Sequence, residues 1–151
     1  MDKPIKELVR NRRASYDYEL LESFEAGIVL YGGEIKSLRQ GGGSLQEAYV
    51  KVFGFEVWLV SCSIAPYRFD TLEVREEKRE RKLLLHKREI VKLSRALQER
   101  GLTVIPLSIY LKGSKAKVRI ATAKGKRQFD KRSSMKEKED KKRMARSLRG
   151  E

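Results

Sequence analysis

The sequence predicts a mainly β domain with some α, an antiparallel arrangement with flanking helices and a basic C-terminal tail. Three observations predict it. Apolar residues recur with period two in two separate pairs of segments, each pair joined by a short glycine-containing link. Two other segments carry helical spacing and run into glycine. Near Lys124 the apolar content falls away and basic residues take over.

The elements follow in order. Tyr16 to Tyr31 is rich in Tyr, Leu, Ile, Val and Phe and reads as strand, broken or bulged at Gly27. Glu34 to Arg39 places an acid first and a base last, with Ile35 and Leu38 on one face, so it reads as a short helix stopped by Gly41-Gly42-Gly43. Leu45–Phe53 and Glu56–Ile64 alternate on either side of Gly54-Phe55 and predict a β-hairpin. The second of these strands is apolar on both faces, which places it at the centre of a closed or covered sheet. Arg68 to Lys78 is polar and charged and reads as a loop. Arg79 to Arg100 carries Leu83, Ile90, Leu93 and Leu97 on one stripe and reads as a long helix ended by Gly101. Thr103–Leu111 and Ala116–Ile120 form a second hairpin around Lys112–Lys115, with Pro106 marking an edge or a bulge. Strands, short helix, strands, long helix and closing hairpin together match a β-barrel of the oligonucleotide-binding type.

From Lys124 to Glu151 twelve basic residues outnumber five acidic ones. So polar a segment cannot bury enough surface to fold alone. Ser134-Met135-Lys136-Glu137 fits a capping box followed by strong helix formers. The expected division is a domain over residues 1–123 and a tail over 124–151, disordered when free and helical when bound to a polyanion.

The charge balance narrows the partner. Of 151 residues, 35 are Lys or Arg and 21 are Asp or Glu, a formal net charge of +14. Such an excess favours RNA, DNA, an acidic protein or an anionic surface. One Cys excludes an internal disulfide, and one His with one Cys excludes a Cys/His zinc cluster. No stretch approaches the ~20 apolar residues of a membrane span, and the first residues lack the apolar core of a signal peptide. The expectation is a cytoplasmic protein with no membrane association. A single Asn beside 37% charged residues suits a source that lives hot, with ordinary drift in a basic protein as the equal alternative.

No motif announces an enzyme or a cofactor. The three-glycine run lacks the Gly-Lys-Ser/Thr ending of a phosphate loop and reads as a turn. His86 has no nucleophile or carboxylate partner by spacing and reads as a helix-surface or packing residue. Cys62 reads as a small buried apolar residue. Basic clusters recur instead: Arg12-Arg13, Lys36 with Arg39, Lys78 to Lys82, Lys115 with Lys117 and Arg119, and Lys124 to Arg127. Arg grips phosphate through two hydrogen bonds and Lys acts as a compact charge. Tyr16, Tyr18, Tyr31 and Tyr49 could stack on unpaired bases if exposed, and sheet packing claims at least half of them.

Specific words then carry a resemblance. Asn11-Arg12-Arg13-Ala14, Asp17-Tyr18, Glu25-Ala26-Gly27-Ile28, Gly32, Glu34 to Arg39, Arg79 to His86, and Gly125-Lys126-Arg127 through Asp130-Lys131-Arg132 resemble, in the same order, small protein B, the bacterial family that binds tmRNA (SsrA). Each word is weak alone; the ordered set is specific. The resemblance implies an oligonucleotide-binding-type barrel that holds the tRNA-like domain of tmRNA. It implies delivery, with elongation factor Tu acting through tmRNA, to ribosomes stalled on messages without a stop codon. The tail would enter the small-subunit decoding centre and the empty mRNA channel. A monomer is expected, since no heptads argue self-association. The alternative is a ribosomal or rRNA-binding structural protein without tmRNA specificity.

Carried over by position, the tmRNA face comprises Asn11, Arg12, Glu25, Ala26, Gly27, Lys36, Arg39, Arg79, Arg81, Lys82, Leu84 and Lys117. The ribosome-contacting tail comprises Lys126, Arg127, Phe129, Asp130, Lys131, Arg132, Lys136, Lys138, Lys141, Lys142 and Arg143. Glu25 is no phosphate ligand; it either accepts hydrogen bonds from a base edge or 2′-hydroxyl, or orients a neighbouring Arg. Departures from the family pattern are Gly33, Glu76-Glu77, Phe129 and Tyr16.

Overall fold

A computed structural model of the chain describes residues 4–67 and 76–126. The elements are β1 (Ile5–Arg10), α1 (Ala14–Asp17), β2 (Tyr18–Ile28), α2 (Gly32–Arg39), β3 (Gly43–Ser44), β4 (Tyr49–Phe53), β5 (Glu56–Val60), β6 (Ser63–Ile64), β7 (Arg81–Leu84), α3 (Lys87–Gln98), β8 (Thr103–Lys112) and β9 (Lys115–Gly125). Seven strands form one antiparallel sheet in the order β1-β8-β9-β2-β7-β5-β4, and β3 pairs with β6 apart from it.

The period-two pattern sets which face is buried. Phe24, Ala26 and Ile28 of β2, Val57 and Leu59 of β5, Leu83 of β7 and Val118 and Ile120 of β9 turn inward and meet Leu38 of α2 and Ile90 and Leu93 of α3. The sheet curls far enough to bring its last strand, β4, against β8 near the other end. A closed barrel was expected, and among the described residues none is found. The outer side of β8 is already hydrogen-bonded to β1, from Ile5 opposite Lys112 to Arg10 opposite Ser108. β4 therefore meets β8 without a ladder between them.

Four further differences from the sequence reading have physical causes. The stretch from Arg79 is not helical at its start: Arg81 and Leu83 are buried while Lys82 and Leu84 are exposed, because β7 is inserted between β2 and β5. The helix begins at Lys87, where the His86 N–H donates to Glu89 Oε1 at 3.0 Å. The long strand to Ile64 is split, because Ser61 adopts φ +62° and turns the chain between β5 and β6. Leu45 to Ala48 is a turn, the Ala48 N–H donating to Leu45 O, so β4 starts only at Tyr49. Tyr16 belongs to α1, and the irregular pairing in β2 lies between Leu20 and Ser23, while Gly27 pairs regularly.

Other expectations hold. α2, the β4–β5 and β8–β9 hairpins and the core of α3 fall where predicted. Gly101, at φ +62°, ends α3 as the Leu102 N–H returns to Ala96 O at 2.9 Å. Pro106 sits at a bulge of β8 rather than on an edge strand, since β1 lies outside it. β9 continues to Gly125, two residues past the expected boundary at 123. β1 carried no pattern: its first residues are exposed, and only Leu8 and Val9 pack against the core.

Candidate nucleic-acid interface

The outer face of the sheet is built by the same alternation that fills the core. Residues flanking the buried Ala26 and Leu83 point the other way, and register aligns them. Gly27 of β2 lies opposite Lys117 of β9 on one side and Leu84 of β7 on the other. Trp58 of β5 lies opposite Lys82 of β7 and Lys51 of β4. Five residues expected at the site, Glu25, Gly27, Lys82, Leu84 and Lys117, thus share one surface. Gly27 has a specific reason to be glycine: a Cβ there would stand 3.3 Å from Leu84 Cβ. Leu84 leans across the bare backbone while remaining 54% exposed. An apolar side chain held in the open among lysines suits contact with a sugar or base.

Glu25 is held by three neighbours. It accepts from the Tyr110 hydroxyl, Lys112 Nζ lies 3.4 Å away, and Arg119 lies 4.0 Å away. The hydroxyl hydrogen bond, followed by Lys112, keeps its carboxyl below the usual carboxylate range despite partial burial. Tyr110 is pushed up to about 12, by burial first and by the hydrogen bond to Glu25 second. Of the two expected roles for Glu25, orienting a neighbouring Arg has a geometric basis in this contact with Arg119.

A second carboxylate, Glu34 of α2, lies inside. Arg81 Nε and Nη2 donate to its Oε2 at 2.9 and 2.7 Å, and Arg79 Nε at 3.1 Å. Arg81 also donates to Cys62 O at 2.7 Å and to Glu77 O at 3.0 Å. Burial works to raise the Glu34 pKa, but the hydrogen bonds from Arg79, the Tyr31 amide and Arg81 outweigh it and hold it below the usual range. Burial pushes the Cys62 thiol up to about 11.

Placement of the remaining residues is mixed. Arg81 was expected on the RNA face and is wholly buried; its guanidinium is spent on Glu34 and backbone carbonyls, so it cannot touch a ligand. The Ala26 side chain is also wholly buried, because its position points into the core. Asn11 donates its amide to Pro106 O at 3.0 Å and its backbone N–H to Leu107 O at 2.8 Å, pinning the chain beyond β1. Arg12 is exposed beside a cleft of about 270 Å³ lined by residues 9–13 and 43–46. Lys36 and Arg39 are exposed on α2, Lys36 Nζ lying 5.5 Å from the Tyr67 ring centre. Lys126 donates Nζ to Ser15 O and its backbone N–H to Asp17 O, tying the start of the tail to α1. The expected tail residues Arg127 to Arg143, and the helix expected after Ser134, lie outside the described residues.

Lys112, Trp58 and Lys51 join this surface without having been singled out, and the buried Tyr110 backs it through its hydrogen bond to Glu25. Their signal was register: Tyr110 lies across a ladder from Lys117, Trp58 from Lys82 and Lys51 from Trp58, while Lys112 comes within reach of Glu25, which only the strand pairing reveals. Arg119, two positions from Lys117 in β9, was visible as a basic alternate.

A curled antiparallel sheet whose outer face sets lysine, arginine and exposed apolar side chains in rows is a small basic β domain suited to a polyanion. The profile of the SmpB protein family matches residues 8–150, and the chain belongs to that family. It is similar to proteins named SsrA-binding protein from several bacteria. The relative from Protochlamydia amoebophila (strain UWE25) is 59% identical over 95% of this chain and 94% of its own. The relative from Aquifex aeolicus (strain VF5) is 46% identical over 95% and 92%. A chain of a solved structure described as "tmRNA-SmpB: a journey to the center of the bacterial ribosome" superposes with a TM-score of 0.67 at 40% identity, over 84% of this chain and 93% of that one.

Proposed function

We propose that this chain is the tmRNA-binding factor of trans-translation, an RNA-binding protein and not an enzyme. Its sheet would hold the tRNA-like domain of tmRNA, and the complex would reach stalled ribosomes with elongation factor Tu, bound through tmRNA. The tail from Arg127 onward would occupy the decoding centre and the empty mRNA channel, whose rRNA phosphates suit a basic segment. The protein would act in the cytoplasm as a monomer.

The observation that carries this reading is the row Lys117–Gly27–Leu84 with Lys82 beside it, on a chain whose relatives are named for binding SsrA. A phosphate-neutralising pair flanks an apolar side chain laid over bare backbone, an arrangement that reads RNA shape as well as charge. Lys36 and Arg39 extend the positive surface on α2.

The test is binding to the tRNA-like domain of tmRNA at moderate salt against excess bulk tRNA. Binding that survives the competitor supports the reading. Binding that tRNA erases replaces it with the ribosomal or rRNA-binding alternative. Deleting residues from Asp130 onward should leave tmRNA affinity nearly intact and abolish ribosome rescue; equal loss of both would refute the division between sheet and tail.

A further inference from the structure

Glu34 holds two residues of a surface pair at once. Its Oε1 accepts the Tyr31 backbone N–H at 2.9 Å, and its two oxygens take the Nε and Nη2 of Arg79. The Arg79 guanidinium carbon then lies 4.6 Å from the centre of the Tyr31 ring. Behind them Arg81 fills the remaining capacity of the carboxylate. Tyr31 is 50% exposed.

The geometry decides what this pair can do. A guanidinium grips phosphate through a fork of two adjacent N–H groups. In Arg79 the Nε/Nη2 edge is already occupied by Glu34. Its Nη1 points to Glu80 O at 3.4 Å, and Nη2 also approaches Val29 O at 3.5 Å. Little is left for a phosphate. What remains available is a flat cation stacked on an exposed aromatic ring, a surface that attracts the π-face of a base.

We propose that Tyr31 and Arg79 form a stacking platform for one unpaired RNA base, with Glu34 as the positioning residue that orients both. This rests on the RNA-binding reading above and adds to it a contact of a different kind. It also moves Arg79 from phosphate grip to base stacking.

Salt dependence separates the two kinds of contact. Losing a phosphate contact lowers the slope of log K against log salt by about one, whereas losing a stacked base lowers affinity and leaves the slope unchanged. The experiment measures affinity of the full-length protein for the tRNA-like domain of tmRNA across a salt series. Tyr31→Ala should weaken binding about tenfold at unchanged slope, and Tyr31→Phe, which keeps the ring, should bind more tightly than Tyr31→Ala at the same slope. Arg79→Lys keeps the charge, loses the plane, and should also weaken binding at unchanged slope. Glu34→Gln removes the charge that holds the Arg79 fork, which becomes free to take a phosphate. Its slope should therefore steepen by about one, a change that lost stability alone would not produce. Parental affinity in Tyr31→Ala overturns the platform, as does a loss accompanied by a slope lowered by one. Both Tyr31 variants alter a half-exposed side chain, so they remain informative if Glu34→Gln fails to fold. A parent protein that shows no preference over bulk tRNA overturns the functional reading itself, and the platform with it.

Discussion

Two carboxylates organise cations in this sheet, and water separates their roles. Glu34 and Arg81 have side chains 7% and 0% exposed, and every donor of that arginine edge is satisfied inside. Glu25 is 29% exposed, with Lys112 and Arg119 at 40% and 43%. Inside, the ion pair fixes α2 to β7 and costs dearly if broken, because one partner left alone is a buried charge. Outside, the attraction is screened, the cations keep their hydration, and they stay available to a ligand. The contrast shows that an arginine's place in a basic cluster does not say whether it meets RNA; its depth does.

The largest expected effect comes from breaking the buried member. Glu34→Ala leaves Arg81 unpaired and should lower stability by about 3–5 kcal/mol, read as a reduced midpoint in urea at unchanged m-value. Glu25→Ala should cost under about 1 kcal/mol by the same measurement. Equal losses would erase the distinction.

That distinction also marks what the sequence could show. Arg79, Arg81 and Lys82 read alike as one basic run. Only the strand placement of β7 sends Arg81 inward and leaves Lys82 out. The run also carried helical spacing through Leu83 and Ile90, and tertiary pairing with β5 and β2 overrode it. The hairpins were legible because Ile105, Leu107, Ile109 and Leu111 alternate in sequence and Val57 and Leu59 alternate with Trp58 and Val60; beyond Val60 the pattern misled, since Ser61 reverses its phase and buries Cys62 and Ile64. β1 was not, since a mostly exposed edge strand needs no pattern. The outer face was legible residue by residue, from family words, and illegible as a surface. Tyr110 meets Glu25 across 85 positions of sequence, which no spacing records.

Acid should expose the next effect. Glu34 and Glu25 both have pKa values lowered in the folded chain. The unfolded chain therefore binds more protons in the acid range, and stability rises with pH there. The contribution is complete above the ordinary carboxylate value of about 4.3 and is lost as pH falls below it. Urea midpoints measured from pH 7 down to pH 3 should fall steeply in the parent and less in Glu25→Gln. An acid limb unchanged by that substitution would assign the effect to Glu34 alone.

At the alkaline end the sign reverses. Tyr110 is raised from an ordinary value near 10 to about 12 in the folded chain. Its contribution is present below pH 10 and lost as pH climbs towards 12, since the unfolded chain releases its proton first. Glu25→Gln removes one of the two main causes, so tyrosinate absorbance of the folded protein should appear at lower pH in that variant. An unmoved titration would leave burial as the whole cause.

The smallest effect belongs to the outer rows. Lys51 Nζ lies 2.9 Å from Glu80 Oε1, shorter than the Lys112–Glu25 contact, yet both side chains are nearly half exposed. Distance alone would rank this pair high. Solvent ranks it low, because high dielectric weakens the attraction and two long side chains lose freedom to make it. Lys51→Ala should change stability by about 0–1 kcal/mol, and the difference should vanish at 1 M salt, where screening acts over ~3 Å. The same weakness leaves Lys51 and Lys82, which is loosely paired with Glu56 at 3.9 Å, exchangeable partners for phosphate. A cost in Lys51→Ala as large as that of Glu34→Ala would mean that this face is locked rather than available, and the division between a holding interior and a binding exterior would fail where RNA contact is proposed.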